Sequence, residues 1–395
     1  MTNKFANLFK AFFDSEKVAG LFLLFCTIIS LTIANSSVGT SYIHFMHTTI
    51  DISFGGVALD HSIEQWVNDG LMAIFFLMVG LEVKRELLVG ELSTFSNAVM
   101  PVVAAIGGMV VPSLIHFAFN HGTPTQSGFA IPMATDIAFA LGILSLAGDK
   151  APIAVKVFLT ALAIIDDIGA VLVIAFFYTS TISFLYLGAA TGVFVLLLVF
   201  NRLGIKRLGW YILPGIVLWY CLLQSGVHAT IAGVLLGFAL PFSTKGRNIS
   251  YKLEHFLHKP VAFIIVPIFA LVNTAIPLPG GNAVTELQNP NTLGIVAGLF
   301  IGKVTGIFLF PYLLTQTGKA SLQTGISWRS LVGLGFLGGI GFTMSMFISN
   351  LAFADQQTVI MSKLSTLVAS ALSAITGLLF FITNSYMAKR KQRSL

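Results

Sequence analysis

The chain has 395 residues, of which 56% are hydrophobic and 10% are charged, and its mean hydropathy is +0.89. This composition is typical of a protein with many membrane-spanning helices and excludes an ordinary water-soluble domain. The formal net charge of +6 raises the question of a nucleic-acid partner. The positions of the basic residues argue against one.

Apolar runs separated by turn residues predict twelve membrane-spanning helices, because a helix needs about 20 apolar residues to cross a bilayer. The sequence therefore predicts an all-α polytopic membrane protein. In chain order the predicted segments are residues 18–34, 66–83, 98–119, 129–147, 153–178, 182–200, 208–223, 225–240, 260–276, 293–315, 330–350 and 360–384.

The basic residues alternate from one connection to the next along this map. Twenty of the 22 Lys and Arg residues lie on one side, and the connections 35–65, 120–128, 277–292 and 351–359 contain none. Because cytoplasmic loops are enriched in Lys and Arg, both termini are predicted to be cytoplasmic. The same distribution explains the net charge without nucleic acid.

One connection has the period of a strand. Residues 48–60 alternate between apolar and polar side chains and carry Gly55 and Gly56 at a turn, which predicts a short β-hairpin on the outer face. The free edge of such a hairpin can pair with a second copy of the chain. The alternative is a loop without regular structure.

Two adjacent carboxylates, Asp166 and Asp167, lie in the middle of segment five. Each charge at this depth costs about 2.5–3.5 kcal/mol on an insertion scale. Neighbouring helical side chains point about 100° apart, so both can border one cavity, where a small cation competes with protons for their oxygens. The alternative is a buried ion pair or a hydrogen bond that locks the helix.

Two further segments contain residues that weaken a helix at mid-depth. Segment four has Pro132 before the polar pair Thr135 and Asp136, and segment eleven has three glycines and Thr343 within residues 338–343. Interrupted helices at corresponding places in two halves indicate inverted repeats around an ion site at the midplane. For the glycines, close helix packing is the alternative.

Lys303 is the basic residue in the middle of segment ten. It is predicted to neutralise one of the three buried aspartates, Asp136, Asp166 or Asp167. Left unpaired, the four charges would cost about 10–14 kcal/mol on the insertion scale. A static pair that only stabilises the fold is the alternative.

A second charged group lies at the cytoplasmic ends of segments two and nine. Histidine titrates near neutral pH, so this group can respond to cytoplasmic pH, and a network of interfacial ion pairs is the alternative. His228, in segment eight, is interpreted as a hydrogen-bonded packing residue. A proton relay is the alternative. The residues of the charged group are Glu82, Arg85, Glu86, Glu254, His255 and His258.

Six stretches of the chain together resemble the NhaA-type bacterial sodium/proton antiporters. They are AIPMATDIAFALG, LTALAIIDDIGAV, SGVHATIAGV, GLEVKREL, LEHFLH and GGIGFTMSMFI. The resemblance covers nearly the whole chain. It implies one transporter domain of twelve helices, with segments four and eleven interrupted and crossed, and with inverted repeats at residues 98–178 and 293–384.

The resemblance also implies a role for each site residue. Asp166 and Asp167 would bind Na⁺ and protons, Asp136 and Lys303 would compensate the helix ends and the site charge, and Thr135 would support the site. The outer hairpin would be the contact of a homodimer. The residues that match the region responding to pH are Glu82, Arg85, Glu86, His228, Glu254, His255 and His258.

The combined interpretation is an electrogenic, pH-regulated exchanger of the bacterial inner membrane, which expels Na⁺ and Li⁺ against protons and serves sodium and pH homeostasis. No cofactor or soluble partner is expected, and membrane lipid surrounds the chain. Three alternatives stay open. They are a membrane enzyme that holds a metal diphosphate at Asp166 and Asp167, an aspartyl protease that uses Asp136 and Asp167, and a passive channel.

Two places depart from the family pattern. Val304 stands where relatives have proline, and Thr274 and Ala275 stand where Ala-Gly is expected. These departures are expected to change local helix geometry, and with it the pH profile, without removing a carboxylate of the site.

Overall fold

The structure is a computed structural model that describes residues 16–53, 59–179, 182–243, 249–278, 288–318 and 320–393. Most of these residues are helical, which confirms the predicted class of helical membrane protein. The main elements are α1 (Glu16–Ala34), α2 (Gly39–Met46), β1 (Thr49–Asp51), β2 (Asp60–Ser62), α3 (Ile63–Leu88), α4 (Phe95–Asn120), a 3-10 helix (Gln126–Met133), α5 (Ile137–Leu146), α6 (Ile153–Phe177), α7 (Phe184–Arg202), α8 (Gly209–Ser225), α9 (Ile231–Ala239), α10 (Ile249–Asn273), α11 (Pro290–Gln316), α12 (Trp328–Gly338), α13 (Phe342–Ala352) and α14 (Gln356–Arg393).

Within the described residues, eight helices are long and apolar enough to cross a membrane, or up to ten if each of two bent pairs counts as one span. At predicted segments seven and eight, α8 has 17 residues and α9 has nine. Predicted segment eight begins at residue 225, but that residue ends α8, and α9 begins only at Ile231. Gly226 has a φ of 82° there, a left-handed conformation that glycine adopts without steric cost.

Two pairs of helices are bent inside predicted segments four and eleven. The 3-10 helix meets α5 at 42°, and α12 meets α13 at 50°. In the first pair Pro132 lacks a backbone N–H, and Ala134 is extended. In the second pair the two helices are separated by residues 339–341. Each break leaves backbone donors and acceptors without partners in their own helix.

The helices also contain features that the sequence did not predict. Each of α3, α10 and α11 includes a π turn, at Trp66–Leu71, Val261–Ile265 and Gly298–Gly302 respectively. The second of these turns follows Pro260, which interrupts the normal hydrogen-bond pattern but does not end the helix. As a result, α10 begins at Ile249 and not near residue 260. The short helix α2 was not predicted either.

The predicted hairpin corresponds to two short strands. β1 and β2 pair antiparallel, with Thr49 opposite Ser62 and Asp51 opposite Asp60. The turn expected at Gly55 and Gly56 lies outside the described residues. Five basic residues of the charge map also lie outside them, namely Lys4, Lys10, Lys245, Arg247 and Lys319.

The chain divides into two compact units. The first comprises Met1–Phe22, Glu91–Ala170 and Pro279–Leu395. Inside it, α4 and α11 touch backbone to backbone. A methyl group placed on Gly107 would lie 2.2 Å from the carbonyl oxygen of Gly306, and one on Gly306 would lie 2.0 Å from that of Gly107. Only glycine allows this approach, which holds α11 against α4.

The second unit comprises Leu23–Gly90 and Val171–Leu278. Its helices α3 and α9 are also in close contact, and at the end of α9 the ammonium of Lys84 donates to the carbonyl oxygens of Phe238 at 2.6 Å and Leu240 at 2.5 Å. Carbonyls at a helix C-terminus have no partners within the helix, so a cation there is favourable.

The contact between α4 and α11 makes a prediction about stability. Gly306→Ala would place a methyl group against the Gly107 carbonyl, and the helices would have to separate. We expect a loss of about 1–3 kcal/mol, the usual range for an overpacked interior. The measurement is the melting temperature of the purified protein in detergent.

Gly192→Ala is the matched control, because nothing lies within 4 Å of the position of a methyl group on Gly192, which is also inside a helix. Its melting temperature should equal or exceed that of the wild type, since alanine favours helix more than glycine does. Equal melting temperatures for both variants would contradict the packing argument.

Candidate cation site

The first unit brings Thr135, Asp166 and Lys303 into direct contact. The Lys303 ammonium donates to Asp166 Oδ2 at 2.5 Å and to Thr135 Oγ1 at 2.9 Å. None of the three side chains is exposed to solvent. Of the three aspartates that the sequence offered as partners of Lys303, the structure therefore pairs it with Asp166.

Thr135 also links the pair of Lys303 and Asp166 to the break between α12 and α13. Its hydroxyl oxygen lies 2.7 Å from Asp166 Oδ2 and 2.8 Å from the carbonyl oxygen of Gly338, the last residue of α12. A hydroxyl has one hydrogen, so it can donate to only one of these two acceptors at a time while accepting from Lys303. Thr135 is thus a switchable donor between a carboxylate and a helix end.

Asp167 follows Asp166 on α6 and is 2% exposed. Adjacent positions on a helix differ by about 100°, so the two carboxylates leave the helix on neighbouring flanks. Asp166 Oδ1 has no hydrogen-bond partner among the residues that the structure describes. The pair therefore offers carboxylate oxygen, the ligand type that small hard cations prefer, in an environment without solvent.

Asp136 belongs to a separate set of contacts. One carboxylate oxygen accepts from the Phe139 N–H at 2.9 Å, which caps the start of α5. The other accepts from the Thr343 N–H at 3.1 Å and from the Thr343 hydroxyl, at the start of α13. A carboxylate at the N-terminal ends of two helices is stabilised by their exposed N–H groups and dipoles.

The two breaks also bind each other through the backbone. The Asp136 N–H donates to the carbonyl oxygen of Ile340 at 2.7 Å. Together with the bond from Thr135 to Gly338, this pairs groups of both breaks that their own helices leave free. The sequence places Thr343 at the break but does not predict its bond to Asp136. The available signal was a hydroxyl two residues after Gly341, at a helix start.

The second unit holds part of the predicted charged group together. Arg85 Nε donates to Glu254 Oε1 at 2.7 Å, and a terminal nitrogen of the same guanidinium lies 2.7 Å from Glu86 Oε1. Glu82 precedes Glu86 by one helical turn. The exposed ring of His255 stacks on Tyr251, at a centroid distance of 6.4 Å.

Two other residues that were assigned to pH response lie differently. His258 is exposed, like His255, and lies on the last turn of the helix segment Ile249–Pro260. His228 is outside this charged group. Its Nε2 lies 2.8 Å from the carbonyl oxygen of Tyr178, a contact that agrees with the interpretation as a packing residue.

The two departures from the family pattern lie in packed surroundings, Val304 partly exposed and Thr274 buried. A methyl group on Gly335 would lie 2.6 Å from the Cα of Val304, so α12 packs closely on the position where proline was expected. Thr274 is fully buried, and its hydroxyl donates to the carbonyl oxygen of Ala270 at 2.7 Å.

Among the described residues, no group of three or more His, Cys, Asp or Glu side chains could hold a metal ion.

Comparison with known proteins agrees with this architecture. The sequence model of a family described as "Na+/H+ antiporter 1" matches residues 10–381. A protein of Dechloromonas aromatica named Na(+)/H(+) antiporter NhaA is 53% identical over 382 residues, covering 95% of this chain and 96% of the relative. A protein of the same name from Flavobacterium psychrophilum is 52% identical over 375 residues, covering 95% of both chains.

Among solved structures, the sodium/proton antiporter MjNhaP1 of Methanocaldococcus jannaschii is similar with a TM-score of 0.53 and 17% sequence identity. The match covers 91% of this chain and 92% of that one, and at this identity it shows a shared fold. The family match and the relatives confirm the resemblance read from the sequence: the chain belongs to the Na⁺/H⁺ antiporter 1 family.

Proposed function

We propose that the chain exchanges Na⁺, and also Li⁺, for protons across the membrane, with the carboxylates of Asp166 and Asp167 as the shared binding site. Membership of a family of Na⁺/H⁺ antiporters supports the reaction. The observation that carries the site is the buried contact of Asp166 with Lys303 and Thr135, next to Asp167. The chain is a transporter and not an enzyme, so the diphosphate and protease alternatives are set aside.

Competition at the two carboxylates would couple the two ion flows. Buried carboxylates bind protons readily because their charged form is poorly solvated, and a cation with a high affinity for oxygen displaces those protons. In the structure Lys303 binds Asp166 Oδ2, so a cation that takes this oxygen has to displace the ammonium. Lys303 would thus keep the pair from remaining as two unpaired anions between turnovers.

Two carboxylates also provide for an electrogenic exchange. If both release a proton when one Na⁺ binds, one net positive charge moves across the membrane per cycle. A membrane potential contributes about 2.3 kcal/mol per charge for each 100 mV, and so can drive sodium export. Asp136 would stay at the ends of α5 and α13, where its contacts hold the two breaks in place.

The group around Arg85 would regulate the exchanger by pH. One guanidinium joins Glu86 of α3 to Glu254 of α10, so a change of charge at either carboxylate alters how the two helices are held. His255 and His258 add two ionisable side chains on the same helix as Glu254. Glu82 and His228 would tune this response, as the resemblance implies.

The membrane topology belongs to the same proposal. α8 and α9 would complete twelve spans, and residues 98–178 and 293–384 would form inverted repeats, with both termini in the cytoplasm and the chain in the bacterial inner membrane among its lipids. The hairpin would join two copies into a homodimer. The exposed side chains of Ile50 and Ile52, beside the strand pair, support that contact.

The main test is ion exchange in everted vesicles from a host without its own antiporters. The lumen is acidified, NaCl, LiCl or KCl is added, and the pH gradient is followed at a mildly acidic and a mildly alkaline pH. We expect Na⁺ and Li⁺ to collapse the gradient, mainly at the alkaline pH. Asp167→Asn should abolish the response with normal membrane insertion, because the amide cannot exchange a proton.

Asp355→Asn is the matched control for this test. Asp355 is exposed at the start of α14, where it accepts the Thr358 N–H, and asparagine caps a helix equally well. Its exchange should equal that of the wild type. Exchange at the wild-type rate in Asp167→Asn would contradict the assignment of Asp167 to the binding site. A wild type that responds to none of the three cations would contradict the proposed function.

The regulatory part of the proposal predicts a shifted pH profile. Arg85→Gln removes the charge that joins Glu86 to Glu254, so the pH of half-maximal exchange should differ from that of the wild type. Lys252→Gln, at an exposed position of the same helix as Glu254, removes the same charge and should leave the profile unchanged. Identical profiles for both variants would exclude the Arg85 pairs as a regulatory contact.

The dimer contact predicts selective cross-linking. Cys26 and Cys221 are buried, so a cysteine placed on the surface is the main target of an oxidant. We expect Ile52→Cys to form a disulfide-linked dimer in native membranes. Val38→Cys is equally exposed, at 57%, and should not. Equal yields from both variants would indicate random collision.

A further inference from the structure

Four backbone groups at the break between α12 and α13 bond to other elements of the chain. Gly338 O accepts from Thr135, and Ile340 O accepts from the Asp136 N–H. The Thr343 N–H donates to the Asp136 carboxylate. These three bonds all come from segment four, and the fourth does not.

The fourth bond comes from α14. The N–H of Phe342, the first residue of α13, donates to Ser370 Oγ at 3.0 Å, and Ser370 is 2% exposed. The same helix lies close to the break one turn later, since a methyl group on Gly339 would be 2.8 Å from Ser373 Oγ. Thus α14 holds the start of α13 through a bond separate from that of Asp136.

We propose that Ser370 is a positioning residue of the cation site, and this inference rests on the proposed function. The N–H groups of Phe342 and Thr343 are adjacent, so a rotation that separated the first from Ser370 would move the second relative to Asp136. Asp136 is bonded to Thr343 on one side and precedes α5 on the other. The residue before it, Thr135, contacts both Asp166 and Lys303.

Ser370 therefore acts on Asp166 through three hydrogen bonds in series and touches no ion itself. Without its oxygen, the Phe342 N–H would be a buried donor without a partner, which is unfavourable enough to move the helix start. The positions of Thr135 and Asp136 would change with the position of the start of α13. The affinity for the transported cation should fall before the rate at saturating cation does.

Another serine of α14 serves as a control that distinguishes this role from simple packing. Ser365 is buried to a similar degree, at 3% exposure, and its hydroxyl donates to Met361 O at 2.7 Å and lies 3.1 Å from Thr292 Oγ1. It makes no bond to the break between α12 and α13. Removing either hydroxyl changes the helix surface by one oxygen atom, but only Ser370 is linked to the site.

The experiment measures Na⁺-dependent proton exchange in proteoliposomes for the wild type, Ser370→Ala, Ser370→Thr and Ser365→Ala. We expect Ser370→Ala to raise the apparent KM for Na⁺ about three- to tenfold, a part of the effect of leaving one buried donor unpaired, with kcat within about twofold of the wild type. Ser370→Thr keeps the oxygen and should recover most of the wild-type KM. Ser365→Ala should match the wild type in both constants.

Each outcome decides the inference. Equal KM values for Ser370→Ala and Ser365→Ala would overturn it, as would a Ser370→Thr variant as impaired as Ser370→Ala. If Ser370→Ala fails to insert, Ser370→Thr and Ser370→Cys decide, because cysteine is a weak acceptor and should give an intermediate KM. A wild type without Na⁺ exchange would instead count against the proposed function.

Discussion

The contact on which the site depends is the fully buried pair of Lys303 and Asp166. Removing two charges from water costs several kcal/mol per ion, and their attraction offsets this only with good geometry and further hydrogen bonds. Thr135 supplies one such bond to the ammonium. The ammonium reaches Asp166 from a helix that the contact of Gly107 with Gly306 holds against α4. The packing of the first unit is therefore a condition for its electrostatics.

In the proposed exchange, the buried aspartates Asp136 and Asp166 have different tasks because their surroundings differ. Asp136 accepts hydrogen bonds from backbone N–H groups at two helix starts, which fixes its position. Asp166 accepts from side chains, one of which is a cation, and both can be replaced by a competing ion. A carboxylate held by backbone is suited to support, and one held by side chains is suited to exchange.

Hydropathy located the helices because a span must bury its own backbone hydrogen bonds in an apolar environment. Pro132 and the glycines at 338–341 likewise marked both breaks, since each weakens a helix locally. The partner of Lys303 could not be chosen from sequence, because three aspartates were at a suitable depth and only the tertiary fold selects Asp166. Ser370 carries no signal of its own, as it is one of several serines on α14.

The bonds between the two breaks also bear on how the chain is made. Thr135 and its acceptor Gly338 are 203 residues apart in sequence. At about 5–20 residues per second, synthesis takes about 10–40 s to go from one to the other. For that time the first break has none of these partners, so newly inserted helices need water, lipid headgroups or an insertase to satisfy it. The first break therefore acquires these partners only when residues 338–343 have been synthesised.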